Sequence, residues 1–206
     1  MELTFYISAF VTLFVIIDPI GLAPLFVAIT QGMPAHERRA IALRASAVAI
    51  GLLTLFGLFG ESVLGFAGIS MAAFRIAGGM LLFLTAMEML FERRAKRRED
   101  QAEDDRPDPS VFPLATPLMA GPGAMASMIL LTGEVRGDWA GMAGVLGVMV
   151  AVIAVVLTLF LAAGLLERAL GRTGINVVTR LLGMLLAALS VQFVLDGLRN
   201  FGLAPM

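Results

Sequence analysis

Two short motifs in this chain each place a proline beside a glycine inside a long apolar segment. The first, at residues 18–21, reads Asp-Pro-Ile-Gly, and the second, at residues 121–124, reads Gly-Pro-Gly-Ala. Proline removes a backbone donor and clashes with the preceding helical turn, and glycine permits unusual backbone angles. Within lipid, such a break persists only where it is buried in protein or lines a cavity. Matched breaks in two halves of a chain therefore predict the binding site of a transporter.

The chemistry that these motifs could perform is the recognition of a small charged ligand. A helix that restarts after each proline presents unpaired amides, which attract carboxylates. Asp18 brings an acidic side chain to the first helix start, whereas Gly121 leaves the second one bare. We therefore expect a substrate carboxylate on the amides of Gly123 and Ala124, and an ammonium group near Asp18 and the free carbonyls of residues 14–17. The candidate binding residues are Asp18, Pro19, Ile20, Gly21, Ala120, Gly121, Pro122, Gly123 and Ala124.

Asp18 has two interpretations that the sequence leaves open. It is the one carboxylate well inside an apolar segment, and an ionisable residue in the membrane is a functional candidate by default. However, Asp followed by Pro is also the pattern of a helix N-cap and its first residue. Asp18 could therefore bind substrate, cap a helix, or do both.

Composition identifies a membrane protein. Of 206 residues, 59% are apolar and 15% are charged, and the mean hydropathy is +0.91, whereas a soluble domain is typically about half apolar and about a quarter charged.

The chain has no cysteine, and His36, its one histidine, lies among charges where we expect it to be solvated. Hydrolase and nucleotide-binding motifs are absent, and Ser46, Ser127 and Ser190 have no histidine nearby. We therefore expect neither an enzyme nor a metal or cofactor site.

Apolar stretches predict an all-α fold with six membrane-spanning helices, since a span needs about 20 mainly apolar residues. They lie at residues 3–30, 40–60, 71–91, 110–132, 139–166 and 175–198. The first is longer than a bilayer requires, so a break at Asp18 and Pro19 would make it two half-helices.

Residues 92–109 are strongly charged and predict a flexible linker between a first repeat, 1–91, and a second, 110–206. The start of the chain has no basic region or cleavage site of a secretory signal, so the first segment is expected to stay as a helix.

Basic residues predict the orientation in the membrane. With six spans numbered by alternation, one side carries twelve Lys and Arg residues, six of them in the linker region, and the other side carries Arg75, Arg136 and Arg199. Cytoplasmic loops are the ones enriched in Lys and Arg. We therefore expect a cytoplasmic linker and two external termini, and this also explains the basic run at 93–98 without a nucleic-acid partner.

The two halves resemble each other. Pro19 and Pro122 are 103 positions apart, and Arg75 and Arg180 are 105 apart, each arginine following a Gly-Ile turn, at residues 68–70 or 174–176. Because each half would contain three helices, the second would be inverted relative to the first, as in many secondary transporters. Arg75 and Arg180 would then lie at opposite membrane faces, where each either anchors a helix end or forms part of a gate.

Four separated motifs, in order along nearly the whole chain, resemble the MarC family. They are residues 18–26, 68–70 with 74–79, 113–117 with 120–123, and 180–183 with 191–193. The resemblance implies a six-helix inner-membrane protein of bacteria or archaea. Some members of that family are described as transporters of small neutral amino acids, with two broken helices forming the site.

Together these observations predict a secondary transporter of small zwitterions, glycine or alanine, driven by an H⁺ or Na⁺ gradient. The alternative is a passive channel or an exporter for another small solute. The expected partners are the substrate and the lipid bilayer.

Overall fold

The computed structural model describes residues 3–91 and 109–202, without the side chains of residues 164–170 and 172. Within these ranges every regular element is a helix, which confirms the all-α prediction for the described part of the chain. The predicted linker, 92–109, lies outside the described residues except for Pro109. In chain order the helices are α1 Leu3–Ile17, α2 Pro19–Ile29, α3 Ala35–Phe66, α4 Met71–Leu90, α5 Ser110–Met119, α6 Pro122–Glu134, α7 Trp139–Leu161 and α8 Ala163–Asn200.

The helices supply five or six candidate membrane spans in the described ranges. A sixth span arises if α5 and α6, which are bent by 57° at their junction, count as one. Each predicted segment overlaps one of these spans, so apolar length alone located them. The five continuous spans are Leu3–Ile29, Ala35–Phe66, Met71–Leu90, Trp139–Leu161 and Thr173–Asn200.

Two of the predicted segments have boundaries that need correction. The second segment begins at Ala35 rather than 40 and continues to Phe66, because the polar run from His36 forms the exposed first turns of α3. Glu37 lies in that first turn, where a negative charge suits the positive end of the helix. The fifth segment is shorter than predicted, since α7 ends at Leu161 instead of 166.

Only one of the two predicted Gly-Ile turns exists as a turn. Gly68 has a positive φ of 72°, and the Ser70 hydroxyl caps α4 by accepting a hydrogen bond of 3.1 Å from the amide of Ala73. In the second half, the predicted turn at residues 174–176 is wrong, because these residues are helical within α8. The interruption lies at Gly171 instead (φ 61°, ψ 173°), in a conformation that glycine adopts without steric cost.

α4 and α8, the third helices of the two halves, pack closely and run antiparallel. A β-carbon at Gly79 would lie 2.8 Å from the backbone oxygen of Ser190, and one at Gly183 would lie 2.9 Å from Cβ of Met89. Neither position has room for a side chain, so the two backbones approach each other directly at both contacts.

α6 is the central helix of the bundle and contacts α1, α3, α4 and α7. Its residues 126–132 are all buried. The Thr132 hydroxyl donates to the carbonyl of Gly57 at 2.8 Å, which joins α6 to α3. Large apolar side chains such as Phe59, Met80 and Leu84 point outward instead, as suits a surface in contact with hydrocarbon. Most of α6 is thereby held inside the protein, although its first residue, Pro122, is exposed.

Arg75, Arg136 and Arg199, the three basic residues of the side with few Lys and Arg residues, lie at one end of the bundle. Arg75 pairs with Glu134 at 3.0 Å, and Arg136 pairs with Glu61. The last turns of α8, which carry Arg199, lie at the same end, because Gly197 of α8 contacts Ile76 of α4. The sequence predicted that these three arginines lie on the same side of the membrane, and the packing of the helices agrees with that.

Candidate binding site

Asp18 is the residue at which the first span is interrupted. Its backbone is left-handed (φ 58°, ψ 64°), and it is the one non-glycine residue with a positive φ in the described ranges. Aspartate and asparagine tolerate this conformation better than other non-glycine residues. The residue is fully buried, and its Oδ1 accepts a hydrogen bond of 3.1 Å from the amide of Gly21. Asp18 therefore caps α2, as one of the two interpretations of the sequence held.

The interruption is confined to this one residue. The amide of Asp18 donates to the carbonyl of Phe14 at 2.9 Å, so the expectation of free carbonyls throughout residues 14–17 is wrong for Phe14. Hydrogen bonds therefore join α1 and α2 across Asp18 within the single span Leu3–Ile29. Pro19 opens α2 without an amide proton, so the carbonyl of Val15 lacks the donor that an unbroken helix would supply.

The second interruption is wider and bends the chain. Ala120 (φ −97°, ψ 63°) and Gly121 (φ −82°, ψ 170°) both leave the helical conformation between α5 and α6. Pro122 then takes the first position of α6, and the two helices meet at 57°. The chain thus restarts a helix from an extended residue, at a proline that is itself exposed.

The start of α6 has unpaired donors. Gly121 has no side chain with which to cap the helix. The amides of Gly123 and Ala124 donate to no group within the described ranges. Ala124 is only 2% exposed, whereas Gly123 is partly exposed. Unpaired amides at a helix start carry a partial positive charge and favour an anionic ligand.

The segment before this break is not the regular helix that the apolar stretch at 110–132 predicted. Phe112 and Thr116 are extended, with φ near −130° and ψ of 126°. Each directly precedes a proline, Pro113 or Pro117, and a proline disfavours the helical conformation in the residue before it. α5 instead uses hydrogen bonds that span five residues, such as that of 2.8 Å from the Ala120 amide to the Ala115 carbonyl.

The two interruptions lie side by side although 103 positions separate their prolines. A β-carbon at Gly123 would lie 3.4 Å from Cγ2 of Ile16, two residues before Asp18, and 3.2 Å from Cδ2 of Leu82 in α4. It would also lie 4.0 Å from Oγ1 of Thr85. The first turn of α6 therefore packs between the end of α1 and the middle of α4.

The predicted site residues differ in their access to the surface. Asp18, Pro19, Ala120 and Ala124 are buried, Ile20, Gly21, Gly121 and Gly123 are partly exposed, and Pro122 is exposed.

Comparison with known proteins agrees with this architecture. A family model described as the MarC family integral membrane protein matches residues 3–201. The chain belongs to the MarC family. Its relatives include proteins named UPF0056 membrane protein in Methanocaldococcus jannaschii, 36% identical over 97% of this chain and 98% of the relative, and in Aquifex aeolicus, 36% identical over 95% and 92%. A further one in Escherichia coli is 35% identical over 95% of this chain and 92% of the relative. No solved structure matches this chain.

In this MarC protein the two arginines of the predicted repeat lie at opposite ends of the bundle. Arg75 lies in the second turn of α4, and its side chain, 12% exposed, pairs at 3.0 Å with that of Glu134, which is 40% exposed. This pair ties α4 to the end of α6, as the anchoring interpretation expected. Arg180 is exposed, close to where Gly183 contacts Met89 near the end of α4.

Sequence reasoning missed several residues around the site. Leu82 and Thr85 belong to α4, the helix that also contains Arg75, and their positions in the sequence do not indicate that they lie close to Gly123. Glu134 could have been suspected as a partner for Arg75, because both were expected near the same membrane face. Ser127 was considered only as a nucleophile that lacks a histidine.

Proposed function

We propose that this MarC-family protein is a secondary transporter of small neutral amino acids, glycine and alanine above all, driven by a gradient of H⁺ or Na⁺. The observation that carries the proposal is the contact between the two interruptions. The start of α6 packs against the end of α1, where a β-carbon at Gly123 would lie 3.4 Å from Ile16. Paired helix interruptions of this kind form the substrate sites of many secondary transporters.

The start of α6 and the residues around Asp18, which together we call the junction, carry charges that suit the two ends of a zwitterion. The substrate carboxylate would dock on the amides of Gly123 and Ala124, which have no other acceptor in the described ranges. The ammonium group would face Asp18 and the carbonyl of Val15. Capping and this role are compatible, because one oxygen of Asp18 accepts from the Gly21 amide and a carboxylate has two oxygens with about four acceptor positions in all.

The junction favours small substrates because little space remains beside Gly123. A single β-carbon at Gly123 would already be within 3.2 Å of Leu82, which is tighter than ordinary van der Waals contact. Ala120 and Ala124 are buried and add little side-chain volume. A substrate without a bulky side chain, such as glycine or alanine, is the class that would fit there.

We propose further that the halves 1–91 and 110–206 are inverted repeats, each with a first span interrupted at its proline. The packing of α4 on α8 supports this. An offset of 105 positions carries Gly79 to Met184 and Val194 to Met89. A β-carbon at Gly79 would lie 2.8 Å from Val194, and one at Gly183 would lie 2.9 Å from Met89. The offset therefore maps the contact of Gly79 with Val194 onto a contact of Met184 with Met89. The observed contact is that of Gly183 with Met89, which differs by one residue.

The proposed orientation places both termini outside the cytoplasm of a prokaryotic cell, with the protein in the inner membrane. It follows from the excess of basic residues on the linker side. Arg97→Cys, outside the described residues, is expected to resist an impermeant thiol reagent in intact cells and to react after permeabilisation. Ala67→Cys, in the exposed turn after α3, is the matched control and should react in intact cells. Labelling of position 97 from outside would reverse the orientation.

The test of the transport proposal is whether the purified protein, reconstituted in vesicles, concentrates glycine against its gradient when an H⁺ or Na⁺ gradient is imposed.

A further inference from the structure

Gln192 is a polar side chain that is exposed in the middle of a membrane span. It lies in α8, within the candidate span Thr173–Asn200. The packing of α8 on α4 gives its depth, because a β-carbon at Gly79 would lie 2.8 Å from the backbone oxygen of Ser190 and 2.8 Å from Cγ2 of Val194. Gln192 is therefore level with Gly79, the ninth of the twenty residues of α4. An exposed amide at this depth meets hydrocarbon unless another protein covers it.

Gln192 lies on the face of α8 that is turned away from the bundle. α8 contacts α4 through Ser190, Val194 and Gly197. Because successive residues of an α-helix are about 100° apart, Gln192 lies about 200° round the helix from Ser190, on the opposite side. The other large side chains of that side are apolar and 47–53% exposed, namely Leu181, Met184, Leu185, Val191 and Leu195. Gln192 is thus an amide set within an outward apolar surface.

The amide of Gln192 is only partly paired. Its Nε2 donates at 2.9 Å to Oδ1 of Asp196, one turn nearer the end of α8. Within the described ranges this is the one hydrogen bond of the Gln192 side chain, which leaves a second N–H donor and the Oε1 acceptor. By contrast, the exposed hydroxyl of Thr158 in α7 donates at 2.8 Å to the Ala154 carbonyl of its own helix. In a membrane, a free donor and acceptor of this kind suit hydrogen bonding to a neighbouring helix.

We propose that this face of α8 is the interface of a homodimer, in which the Gln192 amides of two copies pair across a two-fold axis. Copies of one chain share the same orientation in the membrane, so the axis of their dimer runs along the membrane normal and the two α8 helices are parallel. Residues near the axis then meet their own counterparts at equal depth. Each Gln192 amide has both a donor and an acceptor, so two of them form a reciprocal pair. A second copy therefore supplies, at the required depth, the groups that pair with Gln192. The proposal does not depend on the proposed transport function.

Cysteine cross-linking of the full chain in the membranes of expressing cells tests where the interface lies, because the chain has no cysteine of its own. Ala188 is exposed and lies one turn before Gln192 on the same face, so Ala188→Cys is expected to form a disulfide-linked dimer on mild oxidation. Ala151→Cys is the matched control and should stay monomeric, since Ala151 is an exposed alanine in the middle of α7. If Ala188→Cys yields no more dimer than Ala151→Cys, lipid or another protein covers this face and the proposal is wrong.

A second measurement tests the amide itself. Energy transfer between dye-labelled copies in lipid vesicles reports the dimer, and dilution with lipid gives its dissociation constant. Gln192→Leu is expected to raise this constant by about tenfold, the scale of an interhelical hydrogen bond in model membrane helices. Thr158→Val removes an exposed hydroxyl whose hydrogen bond lies within α7, and it should leave the constant unchanged. Both variants place an apolar side chain at an exposed position of a span, so both should fold. An unchanged constant in Gln192→Leu, or wild-type copies without energy transfer at any dilution, would refute the proposal.

Discussion

Gly123→Val is expected to lower glycine transport by more than about a hundredfold, the scale of loss that a misplacement of 1 Å can cause at a reacting or binding centre. The reason is the tight junction beside α6. The β-carbon alone would lie 3.2 Å from Leu82 and 3.4 Å from Ile16. The two γ-methyl groups of valine would extend further, into the junction between α6, α1 and α4. The measurement is the initial rate of radiolabelled glycine uptake into proteoliposomes that contain equal amounts of protein.

A control for this substitution exists in the same helix. At Gly133 a β-carbon would meet only the flexible end of Met71, at 3.1 Å, so Gly133→Val should keep most of the wild-type rate. Both variants are expected to insert into the membrane and elute as folded protein in size-exclusion chromatography. If Gly123→Val transports at the wild-type rate, the interruption at Pro122 shapes the helix and contributes nothing to the site.

Asp18→Asn is expected to weaken glycine binding by about 1.5–3 kcal/mol, the value of a hydrogen bond to a charged group, or roughly 10- to 150-fold in Kd. Asparagine caps helices as well as aspartate does and tolerates the left-handed backbone at this position. The substitution therefore removes the negative charge and preserves the turn. Calorimetric titration of the purified variant with glycine measures the effect.

Asp18→Ala separates the capping role from the binding role. Alanine cannot accept the hydrogen bond from Gly21, so the loss of the cap should cost about 0.5–2 kcal/mol of stability. The thermal midpoint should therefore fall for the alanine variant and hold for the asparagine variant. An unchanged glycine affinity in Asp18→Asn would leave Asp18 as a cap only and assign the ammonium group to backbone carbonyls such as that of Val15.

Much of the fold could be predicted from sequence because the bilayer imposes simple rules on it. A span must be long and apolar, so the segments around α4 and α7 were located to within a few residues at most ends. The cap at Asp18 was also predictable, since the Asp-Pro pair carries a local signal that does not depend on distant parts of the chain.

The errors arose where neighbouring residues or distant contacts decide the structure. α5 is mostly apolar, so its hydropathy resembles that of a membrane-spanning helix, yet Pro113 and Pro117 force extended residues before them. The approach of Gly123 to Ile16 and Leu82 depends on how α1, α4 and α6 pack together. Local sequence patterns do not predict that packing. The turn at Gly171 was assigned to Gly174 because two glycines three residues apart give the same signal in sequence.

The most direct test of the central claim is the accumulation of radiolabelled glycine in proteoliposomes with an imposed inward Na⁺ or H⁺ gradient. A transporter of the proposed kind should raise internal glycine several-fold above the external concentration. An ionophore that collapses the driving gradient should abolish this excess, and vesicles containing Gly123→Val should lack it. Internal glycine that rises only to the external concentration under every gradient would indicate a passive channel, and no entry above protein-free vesicles would exclude glycine transport; either result would contradict the account.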